Sequence, residues 1–250
     1  MLESRLRKRL RALRLNNFAD YTRFFFHDLD RGGDELLHLI DEVTTNKTDF
    51  FREPEHFNVL VRTILPQMVS QEGAGVRKPL MAWSAGCLTG EEPYTLALVL
   101  EEFGHQLPGL PFRYFILGTD ISPRVLQIAR RAVYPSERIS QIPRNLLTRH
   151  FLRSKDPARE VVRVSPEIRH NVRFRQLNFL DGDFGMREPM DIVFFRNVQI
   201  YFHRKTQEEI LGRIAQIIRP GGYLLIGHSE NMNGFNLPFD QLMPTVFRRR

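Results

Sequence analysis

The chain has 250 residues, a 42% hydrophobic content and a net charge of +7. This size suits one medium domain with a small additional one, and no apolar run approaches the ~20 residues that a membrane-spanning helix needs. A single cysteine, Cys87, excludes an intrachain disulfide, and with no signal-peptide pattern it predicts a cytoplasmic protein. The histidines are scattered without paired ligand spacing, so we expect no metal. The basic charge fits either nucleic acid or an acidic protein surface as partner.

The first third of the chain has the pattern of successive helices. Helical spacing is found for the leucines Leu2, Leu6, Leu10 and Leu13 and over residues 18–29, 34–43 and 55–69. Pro54 marks the start of the last of these helices. We therefore expect an N-terminal all-helical domain over residues 1–45, followed by a connecting segment and helix over 46–77.

Strand patterns alternate with helical patterns from about residue 78 onward. The strands read "LMAWSAG", "FRYFILGTD", "VRFRQLN", "MDIVFFRN", "YLLIGH" and "TVFRRR". This alternation predicts an α/β domain over residues 78–250 with a mainly parallel sheet. The last helix carries Thr206 and Glu209 at capping-box spacing and a Pro-Gly-Gly stop. A short helix and an antiparallel hairpin around "SKDPARE" interrupt the alternation at about 138–170 and predict a small inserted β-subdomain.

The loop "WSAGCLTGEEP" joins the first strand to its helix and is the default ligand site of such a sheet. It contains neither the Gly-Lys-Ser/Thr of a phosphate loop nor a dinucleotide G-x-G-x-x-G. Glu91 and Glu92 fall in the first helical turn, where they either complement the helix dipole or face a cationic ligand. Asp120 ends the second strand, where an acidic residue commonly accepts hydrogen bonds from ribose, although it is also a common turn residue. A ribose with a cationic group and no phosphate describes S-adenosylmethionine.

The end of the fourth strand reads "FFRNVQIYF". Enzymes that methylate nucleic-acid bases often carry Asn/Asp-Pro-Pro-aromatic at this place, and this chain does not. The chain therefore lacks the motif that would best support RNA methylation, although the charge of +7 leaves RNA methylation as an alternative function. Tyr201 follows closely and is either a core aromatic or a residue that acts on substrate.

Five motifs together resemble the chemotaxis receptor methyltransferases, the CheR family. They are "TTNKTDFFRE", "SAGCLTGEEPYTLAL", "GTDIS", "FFRNVQIYF" and "PGGYLLIGHSENM", and they stand in the family's order over residues 2–248. The resemblance implies a helical N-terminal domain, a Rossmann-like methyltransferase domain and an inserted antiparallel β-subdomain. It implies methyl transfer from S-adenosylmethionine to glutamate side chains in the cytoplasmic helical bundle of membrane chemoreceptors, with S-adenosylhomocysteine as product and no metal.

The resemblance also implies roles for individual residues. Asn46, Thr48 and Arg52 would help to hold the cofactor, with Arg52 forming a charged fork with the methionine carboxylate. The remaining cofactor contacts would be Glu91 near the ammonium, Asp120 at the ribose, Asn178 and Phe179 at the adenine, and Arg196 and Asn197 near the methionine end. Tyr201 would orient the substrate carboxylate or cover the methyl group.

The first helix carries a basic face opposite its leucines. Arg7, Arg11 and Arg14 cluster there with Lys8 beside them. Such a face is commonly only a solvated surface, but the family's matching helix is thought to contact the receptor, so the three arginines are candidate substrate-binding residues. A non-catalytic protein that senses cofactor and docks on a receptor remains a further alternative.

Overall fold

The structure, a computed structural model, describes residues 2–31, 33–43, 48–107, 109–156 and 158–250. The chain divides into two compact units, Met1–Lys47 with Ile121–Pro123, and Thr48–Asp120 with Arg124–Arg250. No helix within the described ranges has both the length and the apolar character needed to cross a membrane.

The N-terminal unit contains three helices, α1 (Leu2–Leu13), α2 (Phe18–Asp30) and α3 (Glu35–Val43). Leu6, Leu10 and Tyr21 form its small core, while the side chain of Leu2 lies outside the described part. Buried Glu35 joins the three helices, because its carboxylate accepts bonds from Nε of Arg9 at 3.0 Å and from the Tyr21 hydroxyl at 2.8 Å. Leu6, Leu10 and Leu13 of the predicted stripe therefore face the core, and Arg7, Arg11 and Arg14 are exposed.

The second unit begins with a long irregular helix and continues with alternating strands and helices. Its α- and π-helical elements are α4 (Pro54–Val59), a π-helical stretch (Leu60–Ile64), α5 (Leu65–Gln67), a second π-helical stretch (Met68–Glu72), α6 (Glu91–His105), α7 (Pro123–Arg131), α8 (Arg144–His150), α9 (Pro166–His170) and α10 (Arg204–Ile217). The predicted capping box at Thr206 and Glu209 is wrong, since α10 begins at Arg204. Gln207 explains the earlier start, because its side-chain amide donates to the carbonyl oxygens of Gln199 and Phe202 and ties the first turn to the preceding loop.

A seven-stranded sheet lies at the centre of this unit. Its strands are β1 (Leu80–Ala85), β2 (Tyr114–Asp120), β6 (Val172–Gln176), β7 (Met190–Phe195), β8 (Ile218–Ile226), β9 (Phe239–Met243) and β10 (Val246–Arg249), in the order β6-β2-β1-β7-β8-β10-β9. The first five in this order run parallel, and β10 pairs antiparallel with β8 and β9. Chain order reverses between β1 and β7, so their carboxyl ends form the switch point where ligands bind in this class of fold.

Three short strands form a separate antiparallel sheet, as the predicted insertion requires. They are β3 (Val133–Pro135), β4 (Phe151–Arg153) and β5 (Val161–Val164), in the order β3-β5-β4. The pair β4–β5 is the hairpin expected around "SKDPARE", and β3 adds a third strand that starts before the predicted range.

Side-chain alternation along the central strands builds two apolar layers. Ala82, Ile192 and Leu225 face one layer, which also contains residues of α6. Trp83 and Val193 face the other layer, which contains the buried face of α10. The α/β prediction is thereby confirmed, and both layers fix the strand ends that carry the candidate site.

Candidate active site at the carboxyl ends of the central strands

The loop between β1 and α6 turns sharply beside the end of β2. Gly86 adopts φ 83°, and its N–H donates to the Thr119 carbonyl oxygen at 2.8 Å. A Cβ at Gly86 would lie 2.5 Å from Cγ2 of Val198, so only glycine fits between this loop and the segment after β7. The close approach brings the ends of β1, β2 and β7 into one site.

Asp120 lies at this junction, as the sequence pattern predicted. Its carboxylate is buried, and Oδ2 accepts the N–H of Leu88 at 3.0 Å. Leu88 itself adopts a left-handed φ of 48°, which aims its N–H at the strand end. The loop thus orients a carboxylate that can accept hydrogen bonds from hydroxyl groups.

Glu91 is buried and already has partners within the protein. Its Oε1 accepts from Nη2 of Arg138 at 2.6 Å, and its Oε2 accepts from the Thr89 hydroxyl at 2.6 Å. Arg138 also donates to the carbonyl oxygen of Thr48 at 2.8 Å, and the adjacent Glu91 raises the pKa of Arg138. Sequence analysis missed Arg138, which joins Glu91 to the segment before α4.

The side chain of Arg196 points into the protein. It is 1% exposed, and its Nε donates to Oε2 of Glu92 at 2.7 Å. Its Nη1 donates to the Arg52 carbonyl oxygen at 2.9 Å and to Nδ1 of His56 at 2.9 Å, with Oε2 of Glu53 at 3.4 Å. These contacts engage Nε and Nη1, so the side chain of Arg196 holds protein groups together at the site.

His56 completes this network and was not among the predicted residues. Because a guanidinium can only donate, Nδ1 of His56 accepts and its proton sits on Nε2, which lies 2.7 Å from the Thr245 hydroxyl. Burial, reinforced by the charge of Arg196, lowers the pKa of His56 to about 4. The ring is therefore neutral and fixed in one tautomer near pH 7.

Glu53, His56 and His228 place three potential metal-ligand atoms within 4.8 Å of one another. The Arg196 guanidinium already donates to Nδ1 of His56 and contacts the Glu53 carboxylate. A metal ion would have to displace a buried cation from those atoms, so the arrangement does not favour a metal centre. The absence of a metal stays a prediction.

The segment after β7 carries two further predicted residues. Asn197 adopts a left-handed φ of 60°, and its side-chain amide approaches Oε1 of Glu53 at 3.4 Å. Tyr201 ends a short 3-10 helix and is 45% exposed. That exposure argues against the interpretation of Tyr201 as a core aromatic and leaves its ring at the surface of the loop.

The other predicted cofactor residues differ in their surroundings. Phe179 is buried, and its ring packs against those of Phe195 at 5.2 Å and Phe184 at 6.1 Å, so most of it belongs to the core. Asn178 is half-buried, and its Oδ1 accepts the N–H of Leu180 at 3.0 Å. Thr48 is buried and Arg52 half-buried, while Asn46 lies outside the described residues.

Comparison with known proteins decides the family. The description "CheR methyltransferase, SAM binding domain" matches residues 46–247, and "CheR methyltransferase, all-alpha domain" matches residues 1–44. The chain belongs to the CheR methyltransferase family. It is 35% identical over 249 residues to a chemotaxis protein methyltransferase of Borreliella burgdorferi, covering 100% of this chain and 86% of that one. It is 41% identical over 232 residues to chemotaxis protein methyltransferase 2 of Pseudomonas aeruginosa, covering 92% of this chain and 78% of that one.

A relative in Escherichia coli, also named chemotaxis protein methyltransferase, is 35% identical over 247 residues and covers 99% of this chain and 82% of that one. The CheR assignment confirms a methyltransferase fold with a helical N-terminal domain and does not favour RNA methylation or a non-catalytic role. The structure is compatible with S-adenosylmethionine, because a buried carboxylate, that of Asp120, lies at the switch point where ligands bind in this class of fold.

Proposed function

We propose that this CheR-family protein methylates glutamate side chains of membrane chemoreceptors, using S-adenosylmethionine and forming γ-methyl esters in the receptors' cytoplasmic helical bundle. The observation that carries the proposal is the match of the S-adenosylmethionine-binding domain over residues 46–247. The names of the relatives support a role in chemotaxis. Under this proposal the protein would act in the cytoplasm, where it would adjust receptor signalling.

The proposal assigns the cofactor to residues in and near the loops at the switch point. Asp120 would accept the ribose hydroxyls, and Arg52 would pair with the methionine carboxylate. Glu91 keeps lone pairs for the ammonium, since each of its oxygens accepts one bond from the protein groups described above. The remaining contacts would come from Asn46, Thr48, Asn178, Phe179, the backbone of Arg196 and the side chain of Asn197.

The chemistry needs little from the protein beyond placement. The cofactor supplies an electrophilic methyl group on a sulfonium. A glutamate carboxylate of the substrate is ionised at pH 7, so it can attack that carbon without a general base. One C–O bond forms as the C–S bond breaks, and the rate depends on alignment and on the exclusion of water. Tyr201 is exposed enough for its hydroxyl to orient the incoming carboxylate.

The product distinguishes the proposal from its alternatives. The protein is incubated with methyl-labelled cofactor and receptor-containing membranes, and the labelled macromolecule is identified. Label on receptor that mild base releases as methanol supports a carboxyl ester. Base-stable label, label that follows RNA, or no transfer at all would reject glutamate methylation.

The cofactor site is tested separately from turnover. Arg52→Ala and Asp120→Ala should each weaken binding of S-adenosylhomocysteine in calorimetry by at least ~1.5 kcal/mol, the scale of a charged hydrogen bond. Asp183→Ala, which alters an exposed aspartate in the loop after β6, is the control and should bind normally. Wild-type affinity in both site variants would reject these two assignments.

The exposed arginines of α1 are proposed to attract the acidic receptor bundle. Arg7→Glu with Arg11→Glu should slow receptor methylation and leave cofactor affinity unchanged, because reversed charge opposes association. Added salt should slow the wild type, since exposed charges are screened within ~8 Å at physiological ionic strength. Arg23→Glu with Arg31→Glu makes the same change of charge at exposed positions in the middle of α2 and directly after its end, and serves as the control. A normal rate in the α1 variant would leave the basic face of α1, and Arg14 directly after its end, as a solvated surface.

A further inference from the structure

Glu230 is a buried carboxylate that sequence analysis did not single out. It follows β8, and its oxygens face the segment that follows β7, because β7 and β8 run parallel with Phe195 opposite Ile226. Oε1 accepts the N–H of Val198 at 2.7 Å and of Gln199 at 2.8 Å. Oε2 accepts the N–H of Asn197 at 2.9 Å and of Gly227 at 2.6 Å. One side chain therefore binds three consecutive amides of a single loop.

We propose that Glu230 is a positioning residue, whose carboxylate holds the loop Asn197–Tyr201 in the conformation that methyl transfer requires. The inference rests on the proposed function, because it assigns Tyr201 to the substrate and Asn197 to the cofactor. The proposed role does not require Glu230 itself to contact the substrate or the cofactor.

The conformation of the loop explains why it needs a support. Asn197 adopts φ 60°, in the left-handed region that few residues other than glycine and asparagine adopt. The turn makes successive N–H groups converge, which creates a small anion-binding concavity. Without an acceptor, three buried or half-buried donors would be left unpaired. The carboxylate pairs them and stabilises the turn.

The surroundings of Glu230 are suited to backbone donors. Within the described ranges the carboxylate forms no ion pair, and the amide groups are its partners. Burial raises its pKa, and the four hydrogen bonds from amides oppose that rise. Burial of a carboxylate costs free energy, and here the hydrogen bonds from the amides offset that cost.

Gly227 provides a second, independent observation. A Cβ at this position would lie 2.9 Å from the backbone nitrogen of Asn197 and 2.9 Å from Oε2 of Glu230. The glycine therefore lets the backbone after β8 approach the carboxylate and the loop together. Any side chain at Gly227 would push this contact apart without removing the charge.

Two variants perturb the contact in different ways. Glu230→Gln is isosteric, but the NH2 of its carboxamide replaces one carboxylate oxygen and faces two N–H donors. Two of the four hydrogen bonds are therefore replaced by donor–donor repulsion. Gly227→Ala keeps the carboxylate and displaces it. Glu208→Gln is the matched control, since Glu208 of α10 also accepts a backbone N–H, from Asn236 at 3.1 Å, but in an exposed hydrogen bond.

The first readout is amide hydrogen exchange. In Glu230→Gln and Gly227→Ala, exchange of the amides of residues 197–199 should accelerate on the order of tenfold or more. Peptides from β1 and β2 should exchange as in the wild type, which separates a local role from general destabilisation. Unchanged exchange in the loop, or equal acceleration throughout the sheet, would overturn the proposal.

The second readout is turnover at saturating receptor and cofactor. Both variants should lower kcat on the order of 10- to 100-fold, the effect of a small misplacement of a catalytic group. Glu230→Asp keeps the charge on a shorter side chain and should recover part of the rate. A kcat within twofold of wild type in both variants would overturn the role in catalysis even if loop exchange increases. If the wild type itself transfers no methyl group to receptor, the proposed function fails while the exchange experiment still tests the contact.

Discussion

The contribution of buried Arg196 to the stability of the second unit can be measured directly. Replacing it with leucine removes the cation that Glu92, His56 and the Arg52 carbonyl oxygen share, at a position where the side chain is 1% exposed. Leaving one partner of a buried ion pair uncompensated costs about 3–5 kcal/mol. Since domains unfold with only about 5–15 kcal/mol, Arg196→Leu should remove a large part of the stability of the second unit.

Urea unfolding followed by tryptophan fluorescence measures this loss. The only tryptophan, Trp83, is buried in β1 and so reports on the unit that contains Arg196. The control is Arg149→Leu, which breaks an ion pair with Glu102 of similar length, 2.6 Å, but with an arginine that is 52% exposed. Exposed pairs contribute at most ~1 kcal/mol.

The comparison of the two variants decides the outcome. We expect the loss for Arg196→Leu to exceed that for Arg149→Leu by at least ~2 kcal/mol. Similar losses for the two variants would mean that Arg196 is not the buried link between β7, α6 and the segment before α4, and the network would have to be abandoned.

Two further predictions concern pH and turnover. Because the pKa of His56 is about 4 in the folded protein and about 6.5 when unfolded, the unfolded chain binds the extra proton between these values. The free energy of unfolding should therefore fall as pH drops from about 6.5 to 4, by on the order of 3 kcal/mol in total. In urea unfolding, His56→Gln should flatten this pH dependence, whereas the control His105→Gln, at an exposed histidine, should not. Parallel pH curves for the wild type and His56→Gln would contradict the prediction. Tyr201→Phe should lower kcat for receptor methylation more than it lowers cofactor affinity, whereas unchanged turnover would show that the hydroxyl does not act.

Much of the fold could be predicted because its signals are local. The alternation of buried strands with amphipathic helices defines the parallel sheet, and "SKDPARE" marks the hairpin between β4 and β5. Strand β9 was missed because it lies at the edge of the sheet and pairs with β10 alone. Residues 240–242 are exposed, so they lack the apolar alternation by which a half-buried strand is recognised.

The candidate site was predictable in position but not in its internal pairing. Asp120 and Glu91 could be found because strand ends and first helical turns are visible in the sequence. Their protein partners are distant in the chain: Arg138 lies 47 residues from Glu91, and Arg196 lies 140 residues from His56. No local pattern encodes such pairs, and a charged residue in a motif looks the same whether it binds a ligand or supports one that does.

The adjacent glutamates at the start of α6 illustrate this point. Glu91 binds Arg138, which donates to the carbonyl oxygen of Thr48, and Glu92 binds Arg196, which donates to the carbonyl oxygen of Arg52. Two arginines from distant elements thus hold both ends of the segment 48–52, the segment that carries the proposed ligand of the methionine carboxylate. This support accounts for the left-handed φ of 56° at residue 51 within it, because a strained backbone persists only where several contacts determine it. The cations that pair with the two glutamates are therefore side chains of the protein itself.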